Sequence, residues 1–114
     1  MTFEELVRAR CKPLKGAEHR LDAATVRDAL DVLADWQLDA QGQTIGKTFA
    51  FDDFHRTMAF VNALAWIAHQ QDHHPDLEIG YSRCIVRYST HDVGGVSHND
   101  LICAAKVDAL LGHA

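Results

Sequence analysis

The stretch LEIGYSRCIVRYST, residues 77–90, decides the fold. It divides into two short runs, LEIGY and RCIVRYST, at a tight turn near Gly80. In the second run Cys84, Val86 and Tyr88 fall at every second position, which is the period of a strand with one buried face. The stretch therefore predicts a pair of neighbouring strands joined by a hairpin turn.

A second pair of strands is predicted nearer the N-terminus, in WQLDAQGQTIGKTFAF, residues 36–51. Gly42 supplies the turn, and Ile45 and Phe49 lie on one face of the following strand. Lys47 interrupts that apolar face. This segment also reads as a hairpin.

Helical periodicity flanks and separates these hairpins. A short amphipathic helix is expected after the N-cap Asp22, and a longer one is expected to begin at the acidic pair 52–53 and to end before Pro75. Ser97 and Asp100 have the spacing of a capping box, which predicts the start of a last helix. The buried stripe predicted for the long helix consists of Phe54, Met58, Phe60, Val61, Leu64, Ala65, Ile67 and Ala68.

The order of elements is α-β-β-α-β-β-α, which predicts an α+β fold with a four-stranded antiparallel sheet and helices packed on one face. A chain of 114 residues is enough for one domain. Residues 1–20 are expected to be a less regular lead-in, with the turn-rich CKPLKG at 11–16. Residues 21–114 are expected to form the single domain.

Composition excludes several classes of function. The net charge of −5 argues against nucleic acid or an anionic membrane as the main partner. No apolar run approaches the roughly 20 residues that span a bilayer, and MTFEELVRAR lacks an apolar signal core, so a cytoplasmic protein is expected. Three widely spaced cysteines without a CxxC motif indicate neither a disulfide framework nor a thiolate zinc site.

Histidines mark the candidate site. QDHHPD places His73 and His74 after Asp72 at the end of the long helix, and His91 follows the last strand. From the residues alone three interpretations stay open. The group could be a solvated loop, a zinc site made by His69, His73 and His91, or a metal-free acid–base site, since histidine changes its charge near neutral pH.

Two motifs resemble a known family. DHHPD at 72–76, followed by YSRCIVRYSTHDVGGVSHND at 81–100, is similar to the signature of the pterin-4a-carbinolamine dehydratases. CKPLKG, FAFDDFHRTMAFVNALAWIA and DLICAAKVDAL also look like family segments, so the resemblance extends along the chain from Cys11. It implies the same sheet-and-helix fold. It also implies removal of water from 4a-hydroxytetrahydropterin to give quinonoid dihydropterin, which recycles the cofactor of aromatic amino-acid hydroxylases without a metal or organic cofactor.

The resemblance also implies residue roles. His73 and His91 would carry the acid–base work, and His74 would bind and orient the pterin and share in proton transfer. For Trp36 a place in the core is an equally good interpretation, and for Asp100 a role as helix cap is favoured over any substrate role. The positions that match the family's substrate pocket are Asp72, Pro75, Thr90, Asp92, Val93 and Trp36.

Partners are implied in the same way. Members of the family pair their sheets across a two-fold axis, so a homodimer or homotetramer is expected, with Leu77 to Tyr81 near the dimer contact. That candidate edge strand carries one acid and neither lysine nor proline within it, so it is poorly protected against pairing. A monomer whose edge is covered by the N-terminal segment is the alternative. The alternative function is a non-catalytic binding or assembly factor for a protein partner, although the intact histidines favour the enzyme.

Overall fold

The structure is a computed structural model that describes residues 1–112. Within those residues it has four α-helices, four strands and three short 3₁₀ turns. The 3₁₀ turns are Ala17–His19, Leu30–Val32 and His91–Val93. In chain order the main elements are α1 (Phe3–Arg8), α2 (Ala23–Ala29), β1 (Gln37–Leu38), β2 (Ile45–Ala50), α3 (Phe54–Gln71), β3 (Asp76–Ile79), β4 (Arg83–Tyr88) and α4 (His98–Ala109).

The strands form one antiparallel sheet in the order β1-β2-β4-β3, so the fold class predicted from the sequence is confirmed. In the register of β2 with β4, Ile45 lies opposite Tyr88 and Phe49 lies opposite Cys84. These residues are buried, and α3 and α4 both pack against β4. The pairing also makes β3 an edge strand, as the hairpin 77–90 predicts.

The N-terminal segment is more regular than the sequence indicates. An irregular lead-in is expected over residues 1–20, but residues 3–8 form α1, which begins with a capping box between Thr2 and Glu5. Leu6 is buried in the common core, and Lys106 of α4 donates a hydrogen bond to the carbonyl of Val7 at 2.6 Å. A helix of six residues is too short to be stable alone, so α1 depends on its packing against α4.

The buried stripe of α3 differs from the expected one at three positions. Phe54 is 48% exposed and Ala65 is exposed, while the unexpected Thr57 is fully buried. Phe54 is the first residue of the helix, where its ring stacks on Tyr81 with the centroids 6.4 Å apart. The hydroxyl of Thr57 donates to backbone carbonyls, which makes its burial tolerable.

A buried polar group explains why Lys47 interrupts an apolar strand face. Its ammonium lies 2.9 Å from Oδ1 of Asp108 on α4, and both side chains are buried. The indole Nε1–H of Trp36 donates to both oxygens of the same carboxylate at 3.1 Å. The carboxylate is therefore paired and hydrogen-bonded, as a buried charge requires.

Among residues 1–112 no helix combines the length and the apolar character needed to cross a membrane. His113 and Ala114, the end of the expected domain 21–114, lie outside the described residues.

Candidate active site

The backbone at the C-terminal end of α3 determines how the histidine motif is placed. Asp72, the C-cap, takes a left-handed conformation with φ 49° and ψ 44°. The backbone N–H of the next residue, His73, then donates to the carbonyl of Ala68 at 3.2 Å, which closes the helix. Pro75 follows, and proline holds the residue before it in extended backbone, so the chain passes directly from the helix end into β3.

His73 is largely buried and is paired with Asp100, which is fully buried. Nε2 of His73 lies 2.5 Å from Oδ1 of Asp100; the histidine side chain is 12% exposed and the aspartate 0%. The imidazole also stacks on the ring of Tyr88, with centroids 5.9 Å apart and an angle of 8°. Burial alone would lower the pKa of His73, but the hydrogen bond and the charge of Asp100 outweigh it, so this pKa is raised above its usual value.

Asp100 is held in place by three donors from separate parts of the chain. Besides His73, the hydroxyl of Thr90 donates to Oδ2 at 2.8 Å, and the backbone N–H of Ser97 donates to the same oxygen at 2.8 Å. Because the proton of Thr90 points to Asp100, the hydroxyl of Ser97 must be the donor in its 2.6 Å contact with Thr90. The carboxylate is thus both a helix cap and the partner of His73.

A polar cleft opens beside this pair. It has a volume of about 440 Å³ and is lined by four of the expected site residues, Asp72, His73, Thr90 and Asp92. The opposite wall is the segment 11–15, which brings two lysines to the cleft. The sequence places that segment in the lead-in and does not connect it with the site.

Side-chain amides anchor this wall to the helices. The backbone N–H of Cys11 donates to Gln71 at 2.8 Å, and Asn99 both accepts from the N–H of Lys12 and donates to its carbonyl, at 3.2 and 2.7 Å. At the other end of the segment, the N–H of Gly16 donates to the carbonyl of Asp92 at 3.0 Å. The wall is therefore fixed to the same elements that carry His73 and Asp100.

The other expected site residues lie outside this lining. His74 and His91 each follow a cleft residue in the chain, but both side chains are exposed. Pro75 is half-buried, and Val93 is 3% exposed. Trp36 is in the core, where its ring contacts Tyr88 with centroids 6.1 Å apart, so it meets His73 only through that tyrosine.

The zinc arrangement left open by the sequence is not assembled. Within residues 1–112 no three side chains among histidine, cysteine, aspartate and glutamate are grouped so that they could hold a metal ion. His69 is exposed and instead packs on Trp66, with ring centroids 5.7 Å apart.

Tyr88 has a polar group that the fold leaves without a partner. Its hydroxyl is buried and is the one such side-chain atom in the described part of the chain that makes no hydrogen bond. The nearby thiol of Cys103 is a weak acceptor and does not reach hydrogen-bond geometry. Burial therefore raises the pKa of Tyr88 far above its usual value, with the neighbouring Cys103 adding to the effect.

Comparisons with known proteins agree with the sequence motifs. Residues 19–110 match the family model described as pterin 4 alpha carbinolamine dehydratase. A protein of Stenotrophomonas maltophilia (strain K279a), named "Putative pterin-4-alpha-carbinolamine dehydratase", is 56% identical over 105 residues, which cover 92% of this chain and 90% of that protein. A protein of the same name from Xanthomonas campestris pv. campestris (strain 8004) is also 56% identical, with 92% and 89% covered.

Two solved structures are similar in fold. The transcriptional coactivator/pterin dehydratase from Brucella melitensis has a TM-score of 0.77 and 33% identity, covering 80% of this chain and 97% of that one. A pterin dehydratase-like protein identified as a RuBisCO assembly factor in the alpha-carboxysome has a TM-score of 0.61 and 27% identity, covering 70% and 93%.

Proposed function

Because the chain belongs to the pterin 4 alpha carbinolamine dehydratase family, we propose that it removes water from 4a-hydroxytetrahydropterin and yields quinonoid dihydropterin. This reaction would recycle the cofactor of aromatic amino-acid hydroxylases in the cytoplasm. The observation that carries the proposal is the pairing of the largely buried His73 with Asp100 beside a polar cleft. The cleft volume of about 440 Å³ is within the range of small-molecule sites.

The reaction needs one proton delivered and one removed. The hydroxyl on C4a leaves as water only after it takes a proton, and N5–H must lose its proton as the new double bond forms. The hydrogen bond and the charge of Asp100 favour the protonated form of His73, so we assign the acid to His73. Since Nε2 faces Asp100, the proton would come from Nδ1. His91 is assigned as the base that takes the proton from N5.

The remaining site residues would bind and orient the ring. His74 would contact the pterin from the exposed side, and Asp72 and Asp92 are carboxylates able to accept from its amino and ring N–H groups. The hydroxyl of Thr90 is already used by Asp100 and Ser97, so its part in binding would come from its backbone. The other members of the proposed binding set are Pro75 and Val93, with Trp36 acting through its contact with Tyr88.

Stopped-flow dehydration of 4a-hydroxytetrahydropterin tests the proposal. His73→Ala and His91→Ala should each lower the rate at least about tenfold, because each removes a proton-transfer group. His55→Ala is the matched control, since His55 is exposed and lies about 25 Å from the site end of α3. Near-wild-type rates in both site variants would refute the assignment.

The same assay tests the role of metal. The purified protein should contain no stoichiometric zinc, and treatment with EDTA should leave the dehydration rate unchanged. One tightly bound metal per chain, lost together with activity, would restore the histidine zinc site as the better explanation.

A second candidate function is a binding or assembly factor for a protein partner. It is favoured by the similarity in fold to the RuBisCO assembly factor and by large aromatic side chains at the surface, Trp66 at 60% and Tyr81 at 69% exposed. A dehydration rate no higher than the uncatalysed rate, with the fold intact, would favour this function over the enzyme.

We also propose that the chain forms a homodimer or homotetramer through β3. Ile79 is 43% exposed on this edge strand. Glu78 is paired with Arg83 and Arg87, so its negative charge would not repel the Glu78 of a second copy. Light scattering at micromolar concentration should give a multiple of 12.7 kDa. A mass equal to that of a single chain would rule out the oligomer.

A further inference from the structure

Two thiols that the proposed reaction does not use meet beside the cleft. Sγ of Cys11 and Sγ of Cys103 are 3.5 Å apart, although 92 positions separate them in the sequence. Cys11 is half-buried and lines the cleft, whereas Cys103 is fully buried in α4. Both are free thiols.

The two thiols differ in reactivity. Contact with the Cys103 thiol, helped by the positive charges of His73 and Lys106, lowers the pKa of Cys11 against the opposing effect of burial. The same contact, together with burial, raises the pKa of Cys103. Because thiolates rather than thiols react with oxidants, Cys11 is the group that a small oxidant entering the cleft would meet first.

The surroundings of the two sulfur atoms allow them to approach to the distance of a disulfide bond. A disulfide needs sulfur atoms about 2.05 Å apart, so one of them must move by roughly 1.5 Å. Cys103 is fixed within α4, but Cys11 lies between α1 and the first 3₁₀ turn, outside any regular element. The backbone N–H of Cys11 makes one hydrogen bond, to the side chain of Gln71, and besides Cys103 its Sγ has only a 3.6 Å contact with the carbonyl of Asn99.

Cys84 lacks this arrangement. It is buried in the centre of the sheet under the helices, and burial raises its pKa. No thiol partner of Cys84 is found in the described part of the chain. It therefore serves as an internal control for the pair.

We propose that Cys11 and Cys103 are a modification site, a thiol pair that hydrogen peroxide converts to a disulfide. The sulfur of Cys11 attacks one peroxide oxygen and the O–O bond breaks. Cys11 becomes a sulfenic acid, and the leaving hydroxide takes the proton of Cys11 and departs as water. The sulfur of Cys103 then attacks that of Cys11; the S–S bond forms, the S–O bond breaks, and the hydroxide leaves with the proton of Cys103 as a second water.

The disulfide would link one wall of the cleft covalently to α4. Residues 11–15 form that wall, and the new bond would join the first of them covalently to α4, next to Asp100 and the side chain of His73. Formation of the bond does not require the proposed dehydration, so it can be tested whether or not the protein acts on pterins.

The test exposes the reduced full-length protein to a few equivalents of hydrogen peroxide and then alkylates remaining thiols in denaturant. The expected product is lighter by about 2 Da before alkylation, which marks the loss of two hydrogens. Non-reducing peptide mapping should join the peptides of Cys11 and Cys103, leave Cys84 alkylated, and show release by dithiothreitol.

Variants separate the two steps. Cys103→Ser should stop the reaction at the sulfenic acid, which dimedone traps on Cys11, and Cys11→Ser should slow oxidation of Cys103 at least about tenfold. Cys84→Ala should form the disulfide as the wild type does. Two alkylatable thiols at Cys11 and Cys103 after excess peroxide, a link that includes Cys84, or a link only between separate chains would each overturn the proposal.

Discussion

Replacement of Asp100 by asparagine tests the arrangement on which the proposed acid depends. The two side chains have nearly the same shape, so Asp100→Asn keeps an oxygen that can accept from the backbone of Ser97 and preserve the start of α4. What it removes is the negative charge opposite Nε2 of His73. Because the amide nitrogen would then face Nε2, the variant removes both the charge and the hydrogen-bond acceptor of His73 while it keeps the helix cap.

The magnitude follows from the burial of both partners. Hydrogen bonds to charged groups contribute about 1.5–3 kcal/mol, and with side chains 12% and 0% exposed little of this is lost to solvent. If that energy holds the proton on His73 during the reaction, its loss lowers the rate at pH 7 by about ten- to a hundredfold, since about 1.4 kcal/mol is a factor of ten. Stopped-flow dehydration between about pH 5.5 and 9 measures this loss of rate.

The direction of the pH dependence is fixed by the raised pKa of His73. A group whose pKa is higher in the folded protein contributes stability that is complete below its unfolded pKa, about 6.5, and is lost as the pH rises through the folded value. The difference in unfolding free energy between wild type and Asp100→Asn should therefore be largest near pH 5–6 and shrink at higher pH. The high-pH limb of the rate profile should move to lower pH in the variant.

Asp108→Asn is the matched control, because it also removes a buried carboxylate from α4, but one that pairs with Lys47 away from the cleft. It should lose stability while its rate profile keeps the wild-type position. An Asp100→Asn variant that folds, works within about twofold of wild type at pH 7 and shows an unmoved profile would refute this account of His73.

Two further changes probe the polar groups of the core. Lys47→Met should lower the free energy of urea unfolding by about 3–5 kcal/mol, because it leaves the Asp108 carboxylate buried without its cation. A second change, Asp108→Leu, should recover only part of that loss, because it removes the buried charge but leaves the indole N–H of Trp36 without its acceptor. Tyr88→Phe should keep the stack on His73 while removing a buried hydroxyl that has no partner, so thermal melting should show stability unchanged or raised by up to about 1 kcal/mol. A large loss would mean that the hydroxyl is hydrogen-bonded after all.

The sheet and the two long helices could be predicted because their hydrophobic residues recur with a clear strand or helix period. Alternation from Cys84 to Tyr88 and the stripe around Leu64 reflect burial on one face only, which is a property of the sequence itself. In α1 a single residue, Leu6, is buried, so there is no period to detect. Its position comes from packing on α4, which local sequence does not encode.

The candidate site likewise depends on contacts that local sequence does not predict. The spacing S-x-x-D predicts Asp100 as a helix cap, and the structure agrees. The same carboxylate also meets His73, 27 positions away, and that contact depends on how α3 and α4 lie across the sheet. The wall 11–15 is likewise brought to the cleft by hydrogen bonds to Gln71 and Asn99, which no local pattern indicates.

The pair His73–His74 shows how local backbone places two identical side chains in different surroundings. The left-handed turn at Asp72 ends α3, and Pro75 requires extended backbone before it. Successive side chains of an extended chain point to opposite sides, which agrees with a largely buried His73 against Asp100 and an exposed His74. His73 has a charge partner, Asp100, that raises its pKa. The two neighbours are therefore not interchangeable, and in a His73→Ala variant His74 would not replace the proposed acid.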